Sequence, residues 1–145
     1  MTLLFQEVGD QMVHMEVERP GSVFQISAVY AKCTRVGRRQ LWEAMEAVST
    51  RSQGFWPWLV ADDFNIISNS TERSGGAPPN PTNMEEFNDA IFNCGLSDVG
   101  FEGSQYTWTN GVVWQRLDRA FSNGAWTELF GCPKVMYLTR GRSDH

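Results

Sequence analysis

Apolar and polar positions alternate loosely from Val8 to Val17, with Val13, Met15 and Val17 set against Met12, His14 and Glu16. That period predicts a strand that turns Val13, Met15 and Val17 inward and leaves His14 solvated. Pro20-Gly21 marks a turn, and Val23 to Ala31 is rich in β-branched and aromatic residues, as in a strand buried on both faces, so the two segments read as a hairpin. Between Arg38 and Ser49 the residues Leu41, Trp42, Met45 and Val48 fall on one face of an amphipathic helix that covers a sheet. The run Trp56 to Ala61 ends abruptly in Asp62-Asp63, the pattern of a central strand that delivers polar side chains to a sheet edge.

Beyond that strand, Ser68 to Asn83 contains Gly75-Gly76 and three prolines and reads as a long exposed loop, with Glu72-Arg73 as a salt-bridged element of it. Asn83 can cap a second helix, paired with Glu86, whose stripe is Phe87, Ala90, Ile91 and Cys94 and which Gly95 ends. Cys94 then reads as a small core residue. Asn110-Gly111 between Tyr106–Thr109 and Val112–Leu117 signals a tight hairpin. Lys134 to Leu138 predicts a last strand. No repeat, low-complexity tract or linker divides the chain, so residues 1–145 are expected to form one domain.

Composition changes this picture little. With 41% hydrophobic and 12% aromatic residues, the chain can fill a core. Three cysteines without Cys-x-x-Cys spacing suit reduced thiols rather than a disulfide framework or a zinc site. A net charge of -5 argues against a broad basic surface for nucleic acid, since that affinity comes from neutralised phosphates, and any such contact must be local. Lys32, Arg35, Arg38 and Arg39 are the one basic run, best read as a solvated loop and helix start. No signal peptide and no apolar stretch approaching a membrane span is present, so an intracellular protein of nucleus or cytoplasm without membrane contact is expected.

The candidate chemistry lies in three spaced triplets: Asp63-Phe64-Asn65, Arg116-Leu117-Asp118 and Ser143-Asp144-His145. Together they supply carboxylates, a carboxamide and an imidazole, a set suited to metal-assisted cleavage of a phosphate ester. If Asp63 and Asn65 continue a strand, they project to the same side while Phe64 packs behind.

These triplets, with Trp56 to Asn65, Glu72-Arg73-Ser74-Gly75-Gly76, Tyr106 to Asn110 and Arg116 to Arg119, resemble the endonuclease/exonuclease/phosphatase superfamily, the DNase I-like proteins. The resemblance runs from about Val23 to His145 and is nearest to the endonuclease domains of plant LINE-type retrotransposons. It implies a four-layer α/β sandwich, present here in part, and Mg²⁺-dependent phosphodiester hydrolysis with DNA as partner. It further implies that Asp63 positions or deprotonates the attacking water and that Asn65 contacts the phosphate. His145 would hydrogen-bond the scissile phosphate, oriented by Asp118, with Asp144 at the metal and Tyr30 on the phosphate. Trp108 and Asn110 would belong to a DNA-facing segment, although core packing is an equal reading of Tyr30 and Trp108.

The sequence departs from the pattern in three places. The early segment bearing a metal-ligating glutamate is not recognisable, Asp62 stands where the family usually has glycine, and the chain ends at His145 before a closing strand. Glu7 lies too near Tyr30 in the chain to match that glutamate. An incomplete domain with weak or no activity is therefore expected, with exposed edge strands open to self-association. The alternatives are a non-catalytic remnant that binds nucleic acid or phosphate, and a relative of the phosphoinositide or sphingolipid phosphatases.

Overall fold

The computed structural model describes residues 2–138 and His145. In chain order its elements are β1 (Thr2–Glu7), β2 (Met12–Arg19), β3 (Ser22–Tyr30), α1 (Arg35–Ser52), β4 (Trp58–Asp63), β5 (Arg73–Ser74), α2 (Pro81–Asn93), β6 (Ser97–Asp98), β7 (Glu102–Gly103), β8 (Trp108–Thr109), β9 (Trp114–Gln115), β10 (Asp118–Ser122), α3 (Gly124–Phe130) and β11 (Met136–Tyr137). Among these residues a six-stranded sheet runs β1-β2-β3-β4-β10-β6, beside a three-stranded sheet β5-β9-β8 and the parallel pair β7 and β11. The fold is mixed α/β. No described helix is long and apolar enough to cross a membrane.

The core forms where α1 and α2 lie on one face of the large sheet. Leu41, Trp42, Met45 and Val48 of α1 and Phe87 and Ile91 of α2 pack with Met12, Val29, Trp58, Val60 and Phe121 of the sheet. Cys94 joins them, and burial pushes its thiol up to about 12, so it is a packing residue as expected. Thr34 caps α1 by accepting the Gly37 N–H, and Asn80, with Pro81 at the first helical position, caps α2. The cap therefore lies three residues before the expected Asn83: proline fixes the first turn there and the Asn80 carbonyl oxygen accepts from Thr82 N at 2.9 Å.

Several expectations change. The first strand segment is a hairpin of its own, β1 with β2, and the Pro20-Gly21 turn joins β2 to β3 as expected, with Gly21 at φ 85°. β3 is buried on one face only: Gln25, Ser27 and Val29 face the helices, while Ala28 and Tyr30 on the other face are exposed. The long loop is organised by a short 3₁₀ turn at Ser70–Glu72 and by β5, which pairs with β9. The hairpin at Asn110-Gly111 is wider than a two-residue turn, because Thr109 pairs with Trp114 and residues 110–113 form the loop.

The facing of β2 departs from the expectation in part: Val17 is buried as expected and Met15 half-buried, but the other side is buried too. Met12 and His14 are buried and Val13 is exposed, because the side of β2 that packs beneath α1 is the one bearing His14. His14 is 1% exposed, its Nδ1 2.8 Å from Ser27 Oγ, which also accepts the Trp58 indole N–H at 2.9 Å. The direction of the His14–Ser27 bond follows the ring tautomer, and Nε2 lies 3.8 Å from Glu16. Burial, then the neighbouring Arg51, holds the imidazole below its ordinary value of 6.5.

The folded chain therefore keeps His14 neutral where the unfolded chain would protonate it, so this residue's share of stability is complete above about pH 6.5 and is lost as pH falls below it. Urea midpoints at pH 7.5 and 5.5 should fall with acid more in the wild type than in His14→Gln. Contributions from every other titrating group cancel in that comparison. An equal pH dependence in the two proteins would refute the assignment.

Candidate active site

The site grows from a register. Tyr30 pairs with Asp63 across β3 and β4, and Asp63 pairs with Asp118 across β4 and β10, so the three residues stand in one row across the ends of these strands. Two carboxylates directly opposite repel each other, and His145 relieves the repulsion. Its Nδ1 lies 2.6 Å from Asp118 Oδ2 and its Nε2 3.3 Å from Asp63 Oδ2, so the ring stands between the two carboxylates. Burial comes first among the causes that raise the Asp63 carboxyl, and Asp118 and Asp62 add to it. The Asn65 backbone N–H at 2.9 Å and His145 oppose the rise.

Asn65 reaches the site by a different route from the one its spacing suggests. β4 ends at Asp63, and Asn65 sits beyond it at φ 51°, a left-handed conformation that asparagine tolerates. Its amide nitrogen donates to Ala31 O at 2.6 Å, and Arg38 donates to its carbonyl at 3.2 Å and to Cys33 O at 2.9 Å. Phe64 between the two is fully buried in the core. A cavity of about 510 Å³ opens here, bounded by Tyr30, Asp63, Asn65, Arg73, Trp108 and His145 among others.

Of the residues singled out in the sequence, the structure brings together Tyr30, Asp63, Asn65, Asp118 and His145, with Trp108 on the same cavity. Asn110 is elsewhere: its side-chain oxygen accepts from Val112 N and Val113 N and shapes the hairpin loop. Asp144 lies outside the described residues. The basic run is largely occupied, since Lys32 meets Asp10, Arg35 and Arg39 meet Glu86, and Arg38 is buried on backbone carbonyls.

Missed by the sequence reading is the support beneath Asp118. Glu72 is buried and takes Arg116 at 2.9 Å and Arg119 through the same carboxylate oxygen, while its other oxygen accepts Ser68 N at 2.6 Å. It does not pair with Arg73, its chain neighbour. Asp98 completes the cluster with two contacts to Arg116, at 3.1 and 3.2 Å. Thr107 Oγ1 accepts the backbone N–H groups of Leu117 and Asp118, and the Tyr137 hydroxyl bonds the Asp118 carbonyl. The polar residues Glu72, Arg116 and Arg119, each close to a named motif, were the available signal.

Hard divalent cations such as Mg²⁺ prefer oxygen donors. The carboxylates of Asp63 and Asp118 supply them, and these two residues with His145 place ligand atoms within 4.8 Å of one another, so the donor set fits such an ion.

No protein-family model matches the chain, and no curated protein matches it. Solved structures do. The endonuclease domain of TRAS1, a telomere-specific non-LTR retrotransposon, is similar with a TM-score of 0.66 and 13% identity over 88% of this chain and 58% of that one. A beta toxin of Staphylococcus aureus with bound magnesium ions gives 0.58 and 18% over 90% and 47%. An endonuclease/exonuclease/phosphatase family protein from Leptotrichia buccalis gives 0.54 and 16% over 79% and 41%. The chain thus has the DNase I-like fold and spans about half the length of the solved chains it matches.

The backbone explains one departure. Asp62 holds φ 107°, a region that suits glycine and costs other residues on the order of 1–3 kcal/mol. Burial and the nearby Asp118 also raise its carboxyl. Asp62→Gly should stabilise the fold by about 1 kcal/mol in urea titrations, the relief of strain exceeding the entropy that glycine loses. An unchanged or lower midpoint would show that the strain is not real. Glu72→Ala, which leaves two buried guanidinium groups short of a partner, should cost about 3–5 kcal/mol in the same assay.

Proposed function

We propose that the chain is part of a metal-dependent phosphodiester hydrolase that nicks DNA, a single but incomplete domain of the retrotransposon-endonuclease kind. The observation that carries this reading is the row Tyr30, Asp63 and Asp118 closed by His145, at the end of a DNase I-like sheet. Similarity to the TRAS1 endonuclease domain supports the DNA branch, together with the Trp108 side chain on the cavity wall.

In this reading Asp63 orients and deprotonates the attacking water. Its raised carboxyl is a stronger base than an exposed aspartate, and the Asn65 N–H fixes its rotamer. Asp118 holds the His145 ring by Nδ1 at 2.6 Å, which would orient it toward a phosphate oxygen. Asn65 and Tyr30 sit where they can contact the same phosphate. Asp63, Asp118 and Asp144 would hold Mg²⁺, which when bound neutralises charge developing on the phosphate.

Supercoiled plasmid incubated with the chain and Mg²⁺ should acquire nicks, and chelation should abolish them. Asp63→Ala and His145→Ala should each lower the rate on the order of 10²–10⁴-fold. A folded, monodisperse chain that leaves plasmid intact would sink the hydrolase reading in favour of a non-catalytic remnant.

A further inference from the structure

The cavity contains one cation that the catalytic row does not use. Arg73 lines it alongside Asp63, Asn65, Trp108 and His145. The other arginine there, Arg38, is consumed by the carbonyls of Lys32, Cys33 and Asn65. Arg73 differs: its Nη1 donates to the neutral Gln115 Oε1 at 3.0 Å, its Nε is buried with no partner, and among the described residues no carboxylate forms an ion pair with it. Its neighbour Glu72, which could have neutralised it, is turned to the opposite side by Arg116 and Arg119.

The surrounding chain is built around this guanidinium. Arg73 and Gln115 are register partners of β5 and β9, so the hydrogen bond is held by backbone pairing. Gly76, at φ 70°, folds over the group so closely that a Cβ there would lie 2.8 Å from Arg73 Nη2, and Gly75, at φ 82°, would place a Cβ 2.4 Å from Val112 O. The segment Glu72-Arg73-Ser74-Gly75-Gly76 thereby acquires a physical account: an anchor, a presented cation, and two glycines that let the chain close around it.

We propose that Arg73 binds a second phosphate of the substrate strand, next to the one held by His145, so that the site recognises a polynucleotide rather than an isolated phosphate ester. This rests on the hydrolase reading for its geometry but not for its test. An unneutralised, positioned guanidinium is suited to a phosphate, which it can meet with two parallel N–H groups. A nucleic-acid strand, rather than an inositol phosphate headgroup, is favoured because an aromatic side chain, Trp108, lines the same cavity, and aromatic side chains beside a phosphate site suit bases. The chain's charge of -5 makes such a local contact the way in which a phosphate backbone can be held at all.

The test is binding without turnover, by fluorescence anisotropy of a labelled 12-nucleotide DNA in EDTA across a salt series. Arg73→Gln should weaken binding about tenfold at low salt and lower the slope of log affinity against log salt by roughly one, while Arg73→Lys should keep the slope. Replacing single linkages of the probe by uncharged methylphosphonate should find one linkage whose neutralisation weakens wild-type binding by the same factor and leaves Arg73→Gln unaffected. That cycle needs no unfolded control, because the wild type alone reveals the charged linkage.

Equal affinity and slope in wild type and Arg73→Gln, absence of any charge-sensitive linkage, or no binding by the wild type would each overturn the proposal. Vesicles containing phosphatidylinositol 4,5-bisphosphate should not retain the chain, and retention that depends on Arg73 without oligonucleotide binding would overturn the nucleic-acid assignment. A chain that binds through Arg73 yet nicks no plasmid supports this inference and removes the hydrolase reading.

Discussion

The pairing of β4 with β10 forces Asp63 and Asp118 into opposite positions of one register, and the remainder of the site answers that constraint. Two carboxylates side by side are unfavourable unless a cation or a proton stands between them. His145 does so with both ring nitrogens, and the same contacts that lower the repulsion fix the ring's orientation. The contact that lets the two aspartates stand together and the contact that orients the ring are here a single interaction. The price of the arrangement shows in the raised carboxyls of Asp62 and Asp63.

A register holds only if its strands are fixed, and β10 is fixed from beneath. Asp118 projects to one face of the sheet while Arg119, the next residue, projects to the helix side and is buried against Glu72, with Phe87 and Phe121 near its guanidinium. Arg116 meets the same Glu72, so the carboxylate ties the segment after β4 to both sides of Leu117-Asp118. Buried charge clusters seldom add stability over apolar packing, but one that loses a member is costly. The arrangement therefore serves definition of position: it allows one placement of β10 and penalises others.

Much of this was legible in the chain. The 3.6-residue spacing of Leu41, Trp42, Met45 and Val48 located α1, and the apolar run ending in Asp62-Asp63 located the central strand, because burial imposes those periods directly. The triplets named four side chains that meet in space, Asp63, Asn65, Asp118 and His145. His14 was misread because periodicity shows that one side of a strand differs from the other, not which side a helix will cover. The loop Ser68–Asn83 was misread because Glu72 is tied to residues more than forty positions away, Arg116 and Arg119, and no local pattern encodes such a partner. Asn65 lines the cavity through a left-handed turn rather than as a continuation of the strand, because β4 ends at Asp63.

Charge distribution decides how a chain of net charge -5 could approach a polyanion. A uniform basic surface would attract phosphate from any direction; here Lys32, Arg35 and Arg39 face carboxylates and Arg38, Arg116 and Arg119 are buried. Among the described residues Arg51 and Lys134 also face carboxylates, and the cavity keeps the His145 ring between two aspartates and the Arg73 guanidinium on its wall. Long-range steering falls off within a Debye length of about 8–10 Å at physiological salt, so an acidic surface does not prevent association once the strand is close. Affinity then depends on how many phosphates the cavity meets at once, and each charged group that the fold withholds from internal pairing raises that number by one.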